Sequence, residues 1–326
     1  MSDAKTVQTV TGPVRASDLG RTLIHEHVLV GYPGWELDGR APRFKRADAM
    51  ARGVDQMQSL LDHGVGTFVD PCPMDLGRDV EFLAELAQKS GMRIVCTTGA
   101  YFEAEGNTFT FRSLPIEEIE AIYVKEITEG IGETGIRAGA IKIATGSRIV
   151  SEYEKKLLTA AGRAAKATGV PLISHTQEGS CGHDQIDLVT AQGVPSSRLL
   201  VGHSDGSADH WYHRSLAERG AFVGFDRFGI SLFQTDEVRV ANVIKLAKAG
   251  HTERIMISHD SIVCWLGRPY PFAPSFEKLL EMLPDWRSTH IFKKIVPKLL
   301  EGGLSKDDVE TILVDNPRRF FSGGAA

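Results

Sequence analysis

The sequence has no excess of basic residues and no long apolar run. Its 37 lysine and arginine residues are outnumbered by 42 aspartate and glutamate residues, which gives a formal net charge of -5. A nucleic-acid partner is therefore not expected. No apolar segment reaches the about 18 to 20 residues of a membrane-spanning helix, and residues 1–5 lack the apolar start of a secretory signal. We expect no membrane partner and a cytoplasmic location.

Cysteine pairs, nucleotide-binding glycine motifs and linkers are also missing. The four cysteines form no CxxC pair, which disfavours a disulfide framework and a zinc ribbon, and we expect most of them to be reduced core thiols. No GxGxxG motif follows a first strand, so a dinucleotide-binding fold is disfavoured. Without a Pro-, Ser- or Gly-rich linker, residues 1–326 are predicted to form a single domain.

Runs of β-branched residues alternate with amphipathic segments at a fairly even spacing, which is typical of βα units and a parallel sheet. Eight strands are predicted, at residues 22–30, 65–70, 93–98, 139–144, 171–175, 198–203, 221–226 and 254–260. Eight βα units in a chain of this length indicate an α/β fold of the (β/α)8 TIM barrel type. A hairpin at residues 7–18 and a final helix and tail at residues 301–326 are expected beside the barrel.

One helix has both ends marked in the sequence. Ser151 followed by Glu154 is a capping box, which predicts a helix that starts at Ser151. Gly169 is placed to end this helix after Thr168.

Ionisable residues follow several of the predicted strands, at the end of the barrel where active sites lie. Taken alone, a histidine at a strand end is more often a hydrogen-bonded residue than a metal ligand. Together, imidazoles and a carboxylate at one barrel mouth are typical of a site for zinc, iron, cobalt or manganese. The candidate metal ligands are His25, His27, Lys142, His175, His203 and Asp260.

Lys142 has two interpretations at such a site. An ammonium group repels a metal cation, and its apolar neighbours make burial of the charge unfavourable. The lysine would then be a base or a Schiff-base amine with a lowered pKa. Alternatively, carbon dioxide adds to the neutral amine, and the resulting carbamate bridges two metal ions.

The set of six candidate ligands resembles that of the phosphotriesterase family of the amidohydrolase superfamily, and within this family that of the phosphotriesterase-like lactonases. The likeness runs from Thr11-Gly12-Pro13 through the HxH pair and Gly202-His203-Ser204-Asp205 to Asp315-Asn316-Pro317-Arg318-Arg319-Phe320, and so covers nearly the whole chain. It implies a binuclear metal centre at the C-terminal ends of the strands, with zinc as the first expectation. The resemblance places His25, His27 and Asp260 on the more buried ion, His175 and His203 on the exposed ion, and a carbamate of Lys142 between them.

Two further residues favour a lactone substrate over an organophosphate. Thr98-Gly99-Ala100-Tyr101 resembles the segment in which lactonases carry a tyrosine beside the metals, and Asp226-Arg227-Phe228-Gly229 resembles their strand-seven motif, where classical triesterases carry histidine in place of arginine. The resemblance implies that Asp260 orients the nucleophile and accepts its proton, while Tyr101 and Arg227 hold the substrate. Alternatively, Tyr101 is an ordinary wall aromatic and Arg227 an ion-pair partner of Asp226.

The segment after Asp260 is expected to be a long loop whose apolar residues line a groove for an acyl chain. The sequence of this loop differs from that of the lactonases. Alternatively, its aromatic residues pack beneath the loop or at a homodimer interface. The expected groove residues are Val263, Trp265, Leu266, Tyr270, Phe272 and Phe276.

The closest likeness is to the quorum-quenching N-acyl-homoserine lactone hydrolases, so a small-molecule lactone with an acyl chain is the expected substrate. Phosphotriester or aryl-ester hydrolysis is the main alternative, as principal or side activity. A cyclic-amide hydrolase and a metal-binding barrel without turnover are further alternatives. His259 and Asp205 are expected behind the ligands, and six other histidines at the surface: His63, His183, His210, His213, His251 and His290.

Overall fold

The computed structural model describes residues 5–269 and 271–323. Strands β1 (Thr6–Thr9) and β2 (Gly12–Arg15) form an antiparallel hairpin ahead of the barrel. In this part of the chain, no helix combines the length and the apolar character needed to cross a membrane.

Parallel strands form the centre of the fold. They are β3 (Arg21–Leu23), β4 (His27–Val30), β5 (Val65–Asp70), β6 (Arg93–Gly99), β7 (Ala140–Thr145), β8 (Leu172–Thr176), β9 (Leu199–Val201), β10 (Phe222–Phe225), β11 (Ile255–Ile257) and β12 (Ile262–Trp265). All except β4 and β12 pair in one eight-stranded sheet, whose order follows the chain from β3 to β11.

Helices lie between the successive strands of this sheet and after its last strand. They are α1 (Arg46–Asp62), α2 (Val80–Ser90), α3 (Phe109–Ser113), α4 (Ile116–Thr128), α5 (Glu152–Thr168), α6 (Gly182–Ala191), α7 (His210–Glu218), α8 (Asp236–Leu246), α9 (Phe276–Met282), α10 (Val296–Glu301), α11 (Lys306–Glu310) and α12 (Asn316–Ser322). Helices α1 to α8 separate the successive strands, and α9 to α12 follow the last strand. The alternation of parallel strands and helices confirms the predicted (β/α)8 barrel.

Helix α5 begins and ends where its sequence predicts. The Ser151 hydroxyl accepts a hydrogen bond from the Glu154 N–H, and the Glu154 carboxylate accepts one from the Ser151 N–H. Gly169 ends the helix with a φ of 77°, a left-handed conformation that glycine adopts without strain. Glu154 also accepts from the backbone N–H groups of Glu103 and Gly146, so the cap fastens two loops near the barrel mouth.

The first and eighth strands of the barrel are broken, which differs from the continuous strands predicted at residues 22–30 and 254–260. Each strand has a lower piece in the eight-stranded sheet, β3 or β11, and an upper piece, β4 or β12. The two upper pieces pair in parallel with each other. Between them, the Asp260 N–H donates to the His25 carbonyl at 3.0 Å and the His27 N–H donates to the Ser261 carbonyl at 2.7 Å, which closes the barrel.

Glu26 joins the two breaks. Its fully buried carboxylate accepts hydrogen bonds from the Ser258 hydroxyl at 2.8 Å, from the His259 Nδ1 at 2.6 Å and from the Ser261 N–H at 2.9 Å. A charged group in the interior needs this number of donors to offset its loss of hydration. Glu26, at the break in the first strand, therefore stabilises the break in the eighth strand.

The inside of the barrel is filled with apolar side chains. One residue from or next to each strand of the eight-stranded sheet joins an inner cluster: Ile24, Val69, Val95, Ala140, Ile173, Leu200, Phe222 and Met256. Val7 of the hairpin and Phe320 of α12 pack against the same cluster. Since the interior is a core rather than a pore, the open space of the barrel lies at its mouth. The four cysteines are buried free thiols.

Candidate metal centre

The six candidate ligands of the sequence lie together at the barrel mouth and line one cavity. Lys142 lies in β7, His175 lies in β8, and His203 lies two residues after the end of β9. His25 and Asp260 lie at the broken points of the first and eighth strands, and His27 begins β4. All five side chains other than that of Asp260 are buried.

Asp260 lies at the middle of the group. One carboxylate oxygen, Oδ1, is 3.2 Å from the Nε2 of His27 and 3.9 Å from the Nε2 of His25, while Oδ2 is 3.6 Å from the Nε2 of His203. The ligand atoms of His25, His27 and Asp260 all lie within 4.8 Å of one another. Two imidazoles and a carboxylate at this spacing fit a divalent transition-metal ion.

Carboxylates behind the centre orient three of the four histidines. The Nδ1 of His27 donates to Asp70 at 3.1 Å. The Nδ1 atoms of His25 and His203 both donate to Asp226, each at 2.8 Å. A carboxylate can only accept these bonds, so each Nδ1 carries a hydrogen and each Nε2 is the nitrogen that faces Asp260 and could bind a metal ion.

His175 is oriented differently. Its Nε2 lies 2.8 Å from the Oε1 of Gln177, and its Nδ1 lies 3.1 Å from the Tyr101 hydroxyl. Because the amide oxygen of Gln177 is an acceptor, Nε2 carries the hydrogen, and Nδ1 has the lone pair that accepts from the Tyr101 hydroxyl and could bind a metal ion. This histidine therefore has the opposite tautomer from the other three.

Burial disfavours the charged form of each nitrogen base of the centre, although at His27 the hydrogen bonds to Asp260 and Asp70 outweigh it and hold the pKa of the imidazole well above its ordinary value. Burial lowers the pKa of the Lys142 ammonium to about 8, and the Nζ of Lys142 lies 2.9 Å from the Nε2 of His25. Burial also holds the pKa values of His175 and His203 well below their ordinary value. Neutral imidazoles are the form that binds a metal, and only a neutral amine adds carbon dioxide.

Two of the candidate ligands have strained backbones. His203 has a φ of 57° and Asp260 a φ of 54°, in the left-handed region that residues with a side chain rarely occupy. Such strain persists where surrounding contacts enforce it, and it is concentrated at functional sites.

Tyr101 and Arg227 both reach this centre. The backbone N–H of Tyr101 donates to the Asp75 carboxylate at 3.0 Å, which places the phenol beside His175, and burial holds the pKa of the phenol well above its usual range. The Nε of Arg227 donates to Asp260 Oδ2 at 3.0 Å, and the Phe233 ring lies 4.5 Å from the guanidinium carbon. Arg227 is therefore the ion-pair partner of Asp260, and the alternative pairing with Asp226 is not observed.

Apolar residues form the outer wall of the cavity. Trp265 and Phe272 of the expected groove line it, while Val263 and Leu266 lie in the main core and Phe276 packs in a smaller cluster beside Trp265. The reason is that the segment after Asp260 continues as β12 instead of a loop, and its pairing with β4 turns Val263 inward. Tyr270 lies outside the described residues. The remaining apolar wall comes from Val30, Pro73, Leu76, Ile230, Leu232, Phe233, Ile262, Leu279, Leu283 and Trp286.

The other histidines depart in part from the surface prediction. His213 and His290 are buried, where His213 contacts the Ser204 carbonyl at 2.8 Å and His290 contacts Asp236 at 2.6 Å. Burial lowers the pKa of His213 to about 4, so this side chain is a neutral core residue. The remaining four are partly buried.

Several residues of the site were not predicted. Asp70, Asp226 and Gln177 orient histidines, while Tyr32 and Glu105 line the cavity. Asp70 and Asp226 each end a predicted strand, and a position at a strand end is also what indicates the candidate histidine ligands. Nothing in the sequence indicates which histidine each of them meets. Asp205, expected behind His203, instead accepts from the Arg239 Nε at 2.6 Å.

Comparisons with known proteins identify the family of this chain. The sequence profile of the phosphotriesterase family matches residues 5–321. An aryldialkylphosphatase of Saccharolobus solfataricus is 32% identical over 313 residues, which cover 95% of this chain and 97% of that protein. A solved organophosphorus hydrolase from Deinococcus radiodurans has a TM-score of 0.92 at 42% identity, with 97% of this chain and 96% of that chain covered.

A second solved structure, a mutant of a phosphotriesterase-like lactonase from Deinococcus radiodurans, has a TM-score of 0.91 at 40% identity. It covers 97% of this chain and 100% of that chain. The family profile and these relatives extend over almost the whole sequence, and the six residues of the resemblance meet at one barrel mouth. The chain is a hydrolase that belongs to the phosphotriesterase family.

Proposed function

We propose that the protein is a binuclear metal-dependent lactonase that opens the ring of N-acyl-homoserine lactones or related lactones. His25, His27 and Asp260 would hold the more buried ion, and His175 and His203 the more exposed one. A carbamate on Lys142 would bridge the two ions. A lysine pKa of about 8 supports this bridge, because a useful fraction of the amine is neutral near pH 7. Zinc is the proposed metal, as imidazole and carboxylate ligands suit it.

The observation that carries the substrate assignment is the composition of the cavity. Its floor holds the charged centre, and its outer wall is formed by Leu232, Phe233, Trp265, Phe272 and Leu283. A substrate that fits both parts has a reactive polar head and an apolar tail. An acyl lactone has this form, and each buried methylene of its tail contributes about 0.8 kcal/mol.

The residues around the centre have separate roles in ring opening. When bound, two divalent ions would activate the attacking water and polarise the ester carbonyl. Asp260 accepts the proton of the attacking water and returns it to the alkoxide that leaves as the ring opens. The neutral phenol of Tyr101 donates a hydrogen bond to the lactone. Arg227 holds Asp260 in position, and the guanidinium of Arg227 also contacts the substrate.

Phosphotriester hydrolysis is the second candidate function. It is favoured by the relatives described as an aryldialkylphosphatase and an organophosphorus hydrolase. The same ligands serve both reactions, since a phosphoryl oxygen is polarised in the same way as a carbonyl oxygen.

Initial rates on a series of N-acyl-homoserine lactones, beside a phosphotriester and an aryl ester, test the proposal. The protein should be purified, analysed for metal and assayed with each substrate at the same metal loading. We expect kcat/KM to be highest for lactones and to rise with acyl length. A higher kcat/KM for the triester, with two ions bound, would replace the lactonase by the second candidate.

A homodimer is also proposed. Leu37, Phe109 and Ile149 are each at least 74% exposed, and apolar side chains of this kind are buried at homodimer interfaces. Sedimentation equilibrium measures the mass directly, and a single species of 35.6 kDa across the concentration range would rule the dimer out.

A further inference from the structure

Two carboxylates orient three of the four histidines of the centre. Asp70 accepts from His27, and Asp226 accepts from both His25 and His203. We infer that Asp226 is a positioning residue shared by both metal positions, which fixes the tautomer of His25 in one position and of His203 in the other. The inference rests on the proposed assignment of these histidines to two different ions. Its consequence is that a single side chain controls the affinity of both positions.

The contacts of Asp226 divide between its two oxygens. Oδ2 accepts from the Nδ1 of His25 at 2.8 Å. Oδ1 accepts from the Nδ1 of His203 at 2.8 Å and from the His203 backbone N–H at 2.7 Å. The carboxylate is fully buried, and the two imidazole rings stack with their centroids 4.5 Å apart. The shared acceptor and the stacking hold the rings in one arrangement.

Two glycines leave the space that this carboxylate occupies. A Cβ on Gly224 of β10 would lie 2.8 Å from Asp226 Oδ2, and a Cβ on Gly202 would lie 3.1 Å from it. Even the smallest side chain at Gly224 would therefore displace the carboxylate from His25. The backbone of two neighbouring strands is thus shaped around Asp226.

The other orienting residues serve one position each. Asp70 meets only the ring of His27, in the more buried position, and Gln177 meets only the ring of His175, in the exposed position. Loss of one such partner lowers the metal affinity of its own position about 10- to 100-fold. Asp226 differs because its removal leaves one imidazole unsupported in each position.

An amide at residue 226 separates this role from simple packing. In Asp226→Asn, the amide oxygen can accept from His203, whose backbone N–H and Nδ1–H both donate to residue 226. The NH2 group then faces the Nδ1 of His25 and can only donate. His25 must accept at Nδ1 and carry its hydrogen on Nε2, which removes its ligand lone pair. His203 keeps its tautomer.

Stepwise titration of the metal-free protein with Zn²⁺ or Co²⁺ tests the inference, with bound metal per chain and native mass spectrometry as readouts. In Asp226→Ala we expect both steps to weaken about 10- to 100-fold. In the matched variants Asp70→Ala and Gln177→Ala we expect one step to weaken and a one-ion species to accumulate. Wild-type affinities for both ions in Asp226→Ala, or the loss of one step only, would overturn the inference.

Imidazole ¹⁵N NMR of the metal-free wild type and Asp226→Asn gives a readout that a folding defect does not mimic. We expect His25 to change from the Nδ1–H to the Nε2–H form and His203 to keep Nδ1–H. Unchanged tautomers at both histidines would overturn the role of Asp226, even if Asp226→Ala failed to fold. Failure of the wild type to bind two ions would contradict the proposed binuclear centre, whereas the tautomer result tests Asp226 independently.

Discussion

Arg227 donates a hydrogen bond from Nε to the Oδ2 of Asp260, at 3.0 Å. The pair links the strand-seven motif of the lactonase resemblance to the carboxylate that is proposed to handle the proton. The buried guanidinium still has four N–H donors for a substrate. In the proposed lactonase, Arg227 would therefore both fix Asp260 and contact the bound lactone.

Replacement of Arg227 by histidine should lower kcat/KM for lactones at least about tenfold, or 1.4 kcal/mol. The imidazole offers fewer donors and cannot hold Asp260 and the substrate together. Turnover of a phosphotriester should fall less, since the resemblance gives classical triesterases a histidine at this place. Arg214→His on the surface is the control. Equal losses on both substrates would contradict the assigned role.

Lys142→Ala should bind both ions at least about 100-fold more weakly and lose nearly all activity, because the bridging group is gone. Short carboxylic acids such as acetate or propionate should restore part of the metal binding and part of the activity, because they supply two oxygens in place of the carbamate. Metal per chain and initial rates are measured together. The exposed Lys166→Ala is the control. A fully active, metal-loaded Lys142→Ala protein would exclude the carbamate bridge.

Phe233→Leu should lower kcat/KM about two- to fivefold for short and long lactones alike. The change keeps an apolar wall but removes the ring from the Arg227 guanidinium, a contact worth about 0.5 to 1 kcal/mol. Leu232→Ala in the same wall should instead cause a loss that grows with acyl length. A chain-length-dependent loss in Phe233→Leu would show that the ring contacts the substrate tail rather than positions Arg227.

Asp75→Asn should stabilise the protein above pH 6. Burial raises the pKa of Asp75 from 3.8 to about 6, so the folded protein binds this proton more tightly than the unfolded chain does. The resulting stability is complete below about pH 4 and is lost as the pH rises through about 6. The variant, which can still accept from the Tyr101 N–H, should gain up to about 3 kcal/mol at pH 7.

Urea unfolding of both proteins at pH 4, 5, 6 and 7 measures this difference. The gain should increase with pH, and Asp62→Asn on the surface should show no such trend. A gain that is constant from pH 4 to pH 7 would mean that the folded and unfolded states bind this proton equally, so that folding does not raise the pKa of Asp75.

The barrel and the six candidate ligands could be predicted from the sequence because each depends on a local signal. A strand that is apolar until it meets a histidine, as at His175 or His203, shows both the element and its functional end. The resemblance then placed those residues together, and the structure has them at one cavity.

The partners of these residues could not be predicted, since they depend on the register between distant strands. Asp226 meets His25, which lies 201 residues away along the chain, through a contact that no local pattern encodes. The break at Asp260 was missed for a related reason. A left-handed residue other than glycine leaves no mark in the sequence, and the apolar run from Ile262 to Trp265, which forms β12, is too short to distinguish a strand from a loop.

The breaks in the first and eighth strands also determine when the centre can form. Glu26 bonds to Ser261 across 235 residues of chain, so the two sides of the site meet only when the barrel closes. Closure of so long a loop must overcome chain entropy before its contacts offset it. A growing chain that has not yet reached Asp260 holds His25 and His27 without their carboxylate. In the proposed centre, uptake of the more buried ion would therefore follow closure of the barrel rather than guide the early steps of folding.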